Sequence, residues 1–129
     1  MAKQGHKLIF TGETHERRNL VVYNGEGFNL TNCHYRILFR LAIEKKYNVT
    51  SPAVKRDDLY GADTSRNMYR LRQAMDLSPG ELVLNVSYSG HYILDLKPDE
   101  IWLEVKKLVL ILDADLKNRL FELMTLRSS

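Results

Sequence analysis

Apolar positions along the chain repeat first every second residue and then every third or fourth. Lys7–Glu13 (KLIFTGE) and Asn19–Tyr23 (NLVVY) are short β-rich runs bounded by polar residues or glycine. Asn24-Gly25 comes next, a pair that tolerates positive φ at both positions and so predicts a two-residue hairpin turn. Phe28-Asn29-Leu30 then alternates as a third brief strand. Three small antiparallel strands therefore open the chain. At Thr31, a good N-cap residue, the period lengthens and Asn32–Lys46 reads as a helix. Tyr35, Leu38, Phe39 and Ala42 form its apolar stripe, broadened by Ile37 and Leu41. Lys45 and Lys46 occupy its last turn, where cations favour the carbonyl end of the dipole, and Tyr47-Asn48 closes it.

Ser51-Pro52 is a second start signal, a cap with proline at the first helical position, and predicts a short helix to about Tyr60, stopped by Gly61. Its apolar positions are few: Ala53, Val54, Leu59 and Tyr60. Asp63 or Thr64 then caps a third helix over Thr64–Met75 with two unlike faces. Thr64, Met68, Leu71 and Met75 share one side, the spacing of a helix packed on a core. Arg66, Tyr69, Arg70 and Gln73 share the other, and no acid interrupts them. Ser78-Pro79-Gly80 turns the chain into Glu81–Val86 and His91–Leu96, two β-rich runs joined by Ser87-Tyr88-Ser89-Gly90. Lys97-Pro98 breaks this hairpin. The remaining tail carries Val105, Val109, Leu112, Leu116, Leu120 and Leu123 at helical spacing, with Asp113-Ala114-Asp115 as the place where it divides into two helices. Further apolar residues on other sides (Leu103, Leu108, Leu110, Ile111) exceed what one self-packed face needs. They favour a homodimer contact over a tail that only folds back on its own sheet.

Composition narrows the function more than the fold. A chain of 129 residues with 44% hydrophobic and 27% charged content suits one compact domain. The net charge of +3 suits a nucleic-acid partner without requiring one. The positive excess sits before residue 95, and the tail is close to balanced. The single cysteine, Cys33, allows no internal disulfide and fits a reducing compartment. MAKQGHKLIF lacks an apolar signal region, and the longest apolar run, Leu108–Leu112, is far short of a membrane span. A soluble, cytoplasmic protein is expected. His6, His15, His34 and His91 are scattered, and the adjacent Cys33 and His34 cannot easily turn toward one ion. No metal, cofactor or catalytic role is expected.

The order of elements is three strands, helix, short helix, two-faced helix, hairpin, helical tail, which is that of a winged helix-turn-helix. Several motifs strengthen this. Asn24–Thr31 (NGEGFNLT) is similar to DGEPVELT, the hairpin and helix start of the DNA-binding output domains of OmpR/PhoB-type response regulators. Thr31–Phe39 (TNCHYRILF) resembles that family's T-x-x-E-[FY]-x-L-L, and Tyr60-Gly61 stands where a Trp-Gly pair often closes the second helix. Met68–Arg72 (MYRLR) resembles the I-S-R-L-R of its recognition helix, and Asn85–Tyr92 resembles the wing T-V-R-G-x-G-Y-[RK]. The resemblance runs from about Leu8 to Leu96.

The resemblance implies an α+β fold. It comprises N-terminal antiparallel strands, a three-helix core and a C-terminal hairpin wing over residues 1–96; outside the resemblance, the apolar spacing of 97–129 predicts a helical extension that packs on the domain or mediates dimerisation. It also implies sequence-specific binding of double-stranded DNA by a transcription regulator. Arg66 and Arg70 would meet guanine or phosphate, Asn67 and Gln73 adenine, and Ser65 and Arg72 phosphate, with Tyr69 on the same outward face. Ser87, Tyr88 and His91 would belong to the wing. The departures are specific. His34 replaces a glutamate, Ser87 stands in place of the wing arginine, Tyr88 replaces a glycine and His91 a tyrosine. The loop before the recognition helix, which in the family can contact RNA polymerase, is nearly absent, and no receiver domain is expected within these residues. The competing expectation is a winged helix that has lost DNA binding and serves protein interaction.

Overall fold

The computed structural model describes residues 5–59, 64–86 and 90–128 of a mixed α+β chain. β1 (Leu8–His15), β2 (Arg18–Tyr23) and β3 (Glu26–Leu30) form the expected antiparallel meander, with β1 beginning one residue later and ending two residues later than the sequence pattern indicates. Asn24-Gly25 makes the second turn with φ of 51° and 82°, as a two-residue hairpin of this kind requires. The first turn, Glu16-Arg17, adopts similar positive angles of 49° and 67° without a residue that favours them.

The fourth strand of this sheet comes from the tail. β7 (Ile101–Leu103) lies parallel to β1, pairing Leu8 with Ile101 and Phe10 with Leu103, so the strand order is β3-β2-β1-β7. The tail is therefore not wholly helical, and 97–129 is not an appendage to a finished domain. Three residues are too few to display a strand period in sequence.

α1 (Asn32–Tyr47) is the axis of the molecule. Tyr35, Ile37, Leu38, Phe39, Leu41, Ala42, Ile43 and Glu44 are all buried, which covers most of the helix circumference and marks a helix surrounded by other elements. Phe10 meets Tyr35 and Phe39 edge-on, at centroid distances of 5.7 and 5.1 Å. Thr31 occupies the N-cap position, but its side chain makes no capping hydrogen bond.

The second helix expected from Ser51-Pro52 is absent among the described residues, so the three-helix core is corrected. Val54–Lys55 is a short strand, β4, and Arg56–Asp58 is a single 3-10 turn. The two side chains that bury deeply here, Val54 and Leu59, are five residues apart. That separation puts them roughly 140° apart on a helix, too far to share a face. Val54 instead pairs with Tyr92 at the edge of a second sheet, ordered β4-β6-β5, whose other strands are β5 (Val83–Val86) and β6 (His91–Leu94). Tyr60, Gly61 and Asp63 lie outside the described residues.

α3 (Val105–Leu108) and α4 (Ala114–Ser128) complete the chain. Leu108, Leu112, Leu116, Leu120 and Leu123 are all buried in the same core that contains Leu8, Phe10 and Leu38. The apolar stripe read as a dimer contact is thus covered within the chain; Leu110, Phe121 and Leu126 are the large apolar tail residues left exposed. Gly12 allows α3 to sit against β1: it has φ +79°, and a Cβ there would stand 2.4 Å from Cβ of Lys107.

Charge locks the tail as well. Glu44 is only 2% exposed, and Arg119 of α4 grips its carboxylate with two hydrogen bonds, Nε to Oε2 at 2.6 Å and Nη2 to Oε1 at 2.9 Å. Arg40 Nε (2.8 Å) and Asn48 Nδ2 (2.9 Å) also donate to it, and Arg119 pairs in turn with Glu122. Arg36 Nε lies 2.8 Å from the carboxylate of Asp113, whose other oxygen accepts from the Leu116 amide at the start of α4. Lys46 Nζ donates to the carbonyls of Ile101 (2.6 Å) and Pro98 (3.2 Å), tying the end of α1 to the approach of β7.

Burial is the largest influence on Glu44 and pushes its pKa up. The hydrogen bonds from Arg119, Asn48 and Arg40 together outweigh it and hold the carboxyl below the usual range. A depressed carboxylate contributes stability above its unfolded pKa and loses it as pH falls through the folded value. Arg119→Met leaves the carboxylate buried with weaker compensation. We expect it to cost about 3–5 kcal/mol at neutral pH and to move acid unfolding to a higher pH, read by urea titration at neutral and mildly acidic pH. Gly12→Ala should lower stability by about 1–3 kcal/mol in the same assay, because Lys107 and the α3 backbone block the new methyl.

Candidate nucleic-acid interface

α2 (Thr64–Ala74) has its backing where the sequence placed it: Met68, Leu71 and Met75 are 1%, 0% and 2% exposed. Burial of each such side chain contributes about 1.5–3 kcal/mol, so the helix is anchored along its inner face. It ends earlier than Ser78-Pro79-Gly80, at a left-handed Asp76 with φ 53°. The Leu77 amide donates to the Arg72 carbonyl (2.8 Å) and the Asp76 amide to the Gln73 carbonyl (3.1 Å), the paired bonds of a Schellman termination. Leu77 packs against the core just beyond it.

Glu81 fixes the turn between α2 and β5. Its carboxylate accepts from the Ser78 amide (3.0 Å) and from the Tyr23 hydroxyl of β2 (2.9 Å), joining the first sheet to this turn. The Ser78 amide first, then the Tyr23 hydroxyl, keep this carboxyl below its ordinary pKa. Burial, followed by the Glu81 contact, raises the Tyr23 phenol.

Of the side chains expected to read DNA, Ser65, Arg66, Tyr69, Arg70 and Gln73 are exposed on α2, and Asn67 is half-buried at its flank. Tyr69 is 61% exposed, a high value for an aromatic on a packed helix. The Gln73 amide donates to its hydroxyl at 3.2 Å, so the two orient each other one turn apart.

Arg72 is different. Its Nη2 donates to the Val83 carbonyl of β5 at 3.1 Å, so it clamps the hairpin to α2 rather than facing a phosphate. His91, assigned to the wing, is half-buried in a groove it shares with Arg40, Lys55 and Asp58 beside the Glu44 pair. Ser87 and Tyr88 lie outside the described residues. The described end of β5 exposes Leu84, Asn85 and Val86, which carry no charge.

The structure supplies neighbours for a residue that the sequence singled out only as a departure from the family motif. His34 in the first turn of α1 is half-buried, and Arg70 of α2 and Arg18 at the start of β2 both act on it electrostatically. Burial first, then Arg70 and then Arg18, push the imidazole below its ordinary pKa. Arg18 and His34 belong to different elements, and nothing local in the sequence links them. The one readable hint is that the first turn of α1 carries no acid.

Comparison with protein-family models, with curated proteins and with solved structures finds no match for this chain. The residues themselves therefore carry the functional reading. No helix among the described residues is long and apolar enough to cross a membrane.

The roles of Arg70 and Arg72 can be separated by stability alone. Arg72→Ala should cost about 1–2 kcal/mol by leaving the Val83 carbonyl without its donor. Arg70→Ala, on an exposed face, should stay within about 0.5 kcal/mol of the parent. Thermal unfolding of the two variants checks this directly.

Proposed function

We propose that this chain binds duplex DNA through α2, as a winged-helix transcription regulator of OmpR/PhoB type, with β5 and β6 forming the wing. The observation that carries the reading is the outward face of α2. Arg66, Tyr69, Arg70 and Gln73 stand exposed with no acid among the helix residues, on a helix whose opposite face is fully buried. A rigid helix of this width suits the major groove, where arginine matches guanine and an amide matches adenine. The pairing of β4 with β6, and the bond from Arg72 of α2 to Val83 of β5, support the wing assignment. The 3-10 turn at Arg56–Asp58 is a departure, since it occupies the place of the short helix that usually precedes the recognition helix. Here α1 takes over the backing of α2. Asn67 and Ser65 extend the reading face, and Arg72 acts through the hairpin instead of touching DNA.

The test is a fluorescence titration of random-sequence duplex by the parent and by Arg66→Ala/Arg70→Ala at two salt concentrations. Parent affinity should fall steeply with salt, and the double variant should show a log–log salt slope smaller by about two. Selection of bound duplexes from a random pool should return one motif. Negligible parent affinity at low salt would favour the protein-interaction reading instead.

A further inference from the structure

We propose that Arg18, His34 and Arg70 form a clamp for a DNA backbone phosphate on the flank of α2 opposite the hairpin. This rests on the DNA-binding reading and extends it to the first sheet and to α1. The placement comes from helix geometry. Arg72 points toward β5, and Arg70, two residues before it, is roughly 200° round the helix on the far side. β2 starts beside the start of α1, because Asn19 pairs with Leu30 two residues before Asn32, and α1 packs against α2; Arg18 and Arg70 both act on His34 in that first turn. Three elements distant in sequence thus converge three nitrogen-bearing side chains on one place.

The charge around this place is one-sided. Among the described residues no carboxylate pairs with Arg18 or Arg70. In the turn before β2, Glu16 is exposed and lies beside His15, and its neighbour Arg17 adds to the positive charge. The one acid of β3, Glu26, is at the far end of that strand from α1, opposite Tyr23. The first two turns of α1 carry Arg36, which is paired with Asp113, and no acid. On α2 the charged residues are Arg66, Arg70 and Arg72. Like charges held together destabilise one another unless an anion joins them. A phosphodiester is such an anion: it accepts hydrogen bonds from both guanidinium groups and from the imidazole.

His34 gives the clamp a signature that a plain arginine contact lacks. In the free protein Arg70, Arg18 and burial favour neutral imidazole; a bound phosphate offsets the arginines and favours imidazolium. Binding then takes up a proton, and affinity rises as pH falls through the range between the bound and free pKa values.

The experiment titrates a random-sequence duplex of about two helical turns with the parent, Arg18→Ala, Arg18→Gln, His34→Gln and the control Lys55→Ala. Salt series are run at pH 8 and pH 6, with thermal melts to show that each variant folds. Loss of one phosphate contact should lower the salt slope of both Arg18 variants by about one, uniformly across sequences, and leave Lys55→Ala like the parent. Parent affinity should rise roughly fivefold from pH 8 to pH 6, and His34→Gln should match the parent at pH 8 but lack the rise. Unchanged salt slopes in both Arg18 variants would overturn the clamp while leaving DNA binding intact. So would a parent affinity flat between the two pH values, or a rise that His34→Gln retains. A parent that does not bind duplex at low salt would remove the DNA reading and the clamp together.

Discussion

A carboxylate inside a helix that is buried on nearly every side constrains the rest of this molecule. Glu44 cannot stay ionised in the core without partners, and α1 with its C-cap residue supplies Arg40 and Asn48. The two-pronged contact comes from Arg119 at the other end of the chain. Hydrogen bonding to Glu44 is also what chiefly raises the pKa of Arg119, so each partner stabilises the charge of the other. α4 must therefore dock before the core is electrostatically complete. Once it docks, α3 meets Gly12 and β7 fills the edge of β1. The tail is thereby bound into the fold at both ends, by charge at α4 and by backbone pairing at β7.

That construction leaves α2 as a helix held at several independent points. Its apolar side is part of the shared core, its C-terminal turn is closed by left-handed Asp76, and Glu81 joins the turn beyond it to β2 through Tyr23. Arg72 adds a bond to β5. A recognition surface benefits from such restraint, because side chains that need little reordering lose less free energy on binding. Gln73 and Tyr69 illustrate the point by bonding to each other before any partner arrives.

Legibility in the sequence depended on length and period. Long amphipathic segments such as Asn32–Lys46 and Thr64–Met75 were readable to within a residue or two, and the inward set Met68, Leu71, Met75 was right because helical spacing leaves little choice. Asn24-Gly25 was readable because its chemistry specifies one turn. Short pieces were not. Ser51-Pro52 resembles a helix start, yet Val54 and Leu59 lack a common face, and pairing with β6 decided the local structure. Ile101–Leu103 becomes a strand only because β1 presents an open edge. The outward residues of α2 were legible from the same spacing, apart from Arg72. Its flank position was visible in sequence, but the carbonyl it meets depends on where β5 lies. The neighbours of His34 were invisible for the same reason, being set by tertiary packing rather than by any local pattern.

The distribution of charge over this frame is asymmetric, and the asymmetry bears on how a duplex would lie. On the hairpin side the described strand exposes Leu84, Asn85 and Val86, none charged, while the cations Lys55 and Arg56 are offset by Asp57 and Asp58. Arg36 of α1 and Arg119 of α4 are spent on Asp113 and Glu44 within the protein. Arg70 and Arg18, neither paired with a carboxylate among the described residues, continue the positive charge of the α2 face toward His34, whose imidazole burial and these two arginines hold below its ordinary pKa. Phosphate attraction supplies most of non-specific affinity and orients the protein before bases are read. A duplex approaching this surface would be drawn toward α1 and the first sheet, tilting α2 away from its hairpin. The positions of Asn67 and Gln73 on α2 then matter in different ways: Asn67 is half-buried at the flank, whereas Gln73 keeps an exposed amide already aligned by Tyr69. Under that tilt Gln73 and Arg66 would be the side chains left to meet base edges, with Arg70 held on the phosphate.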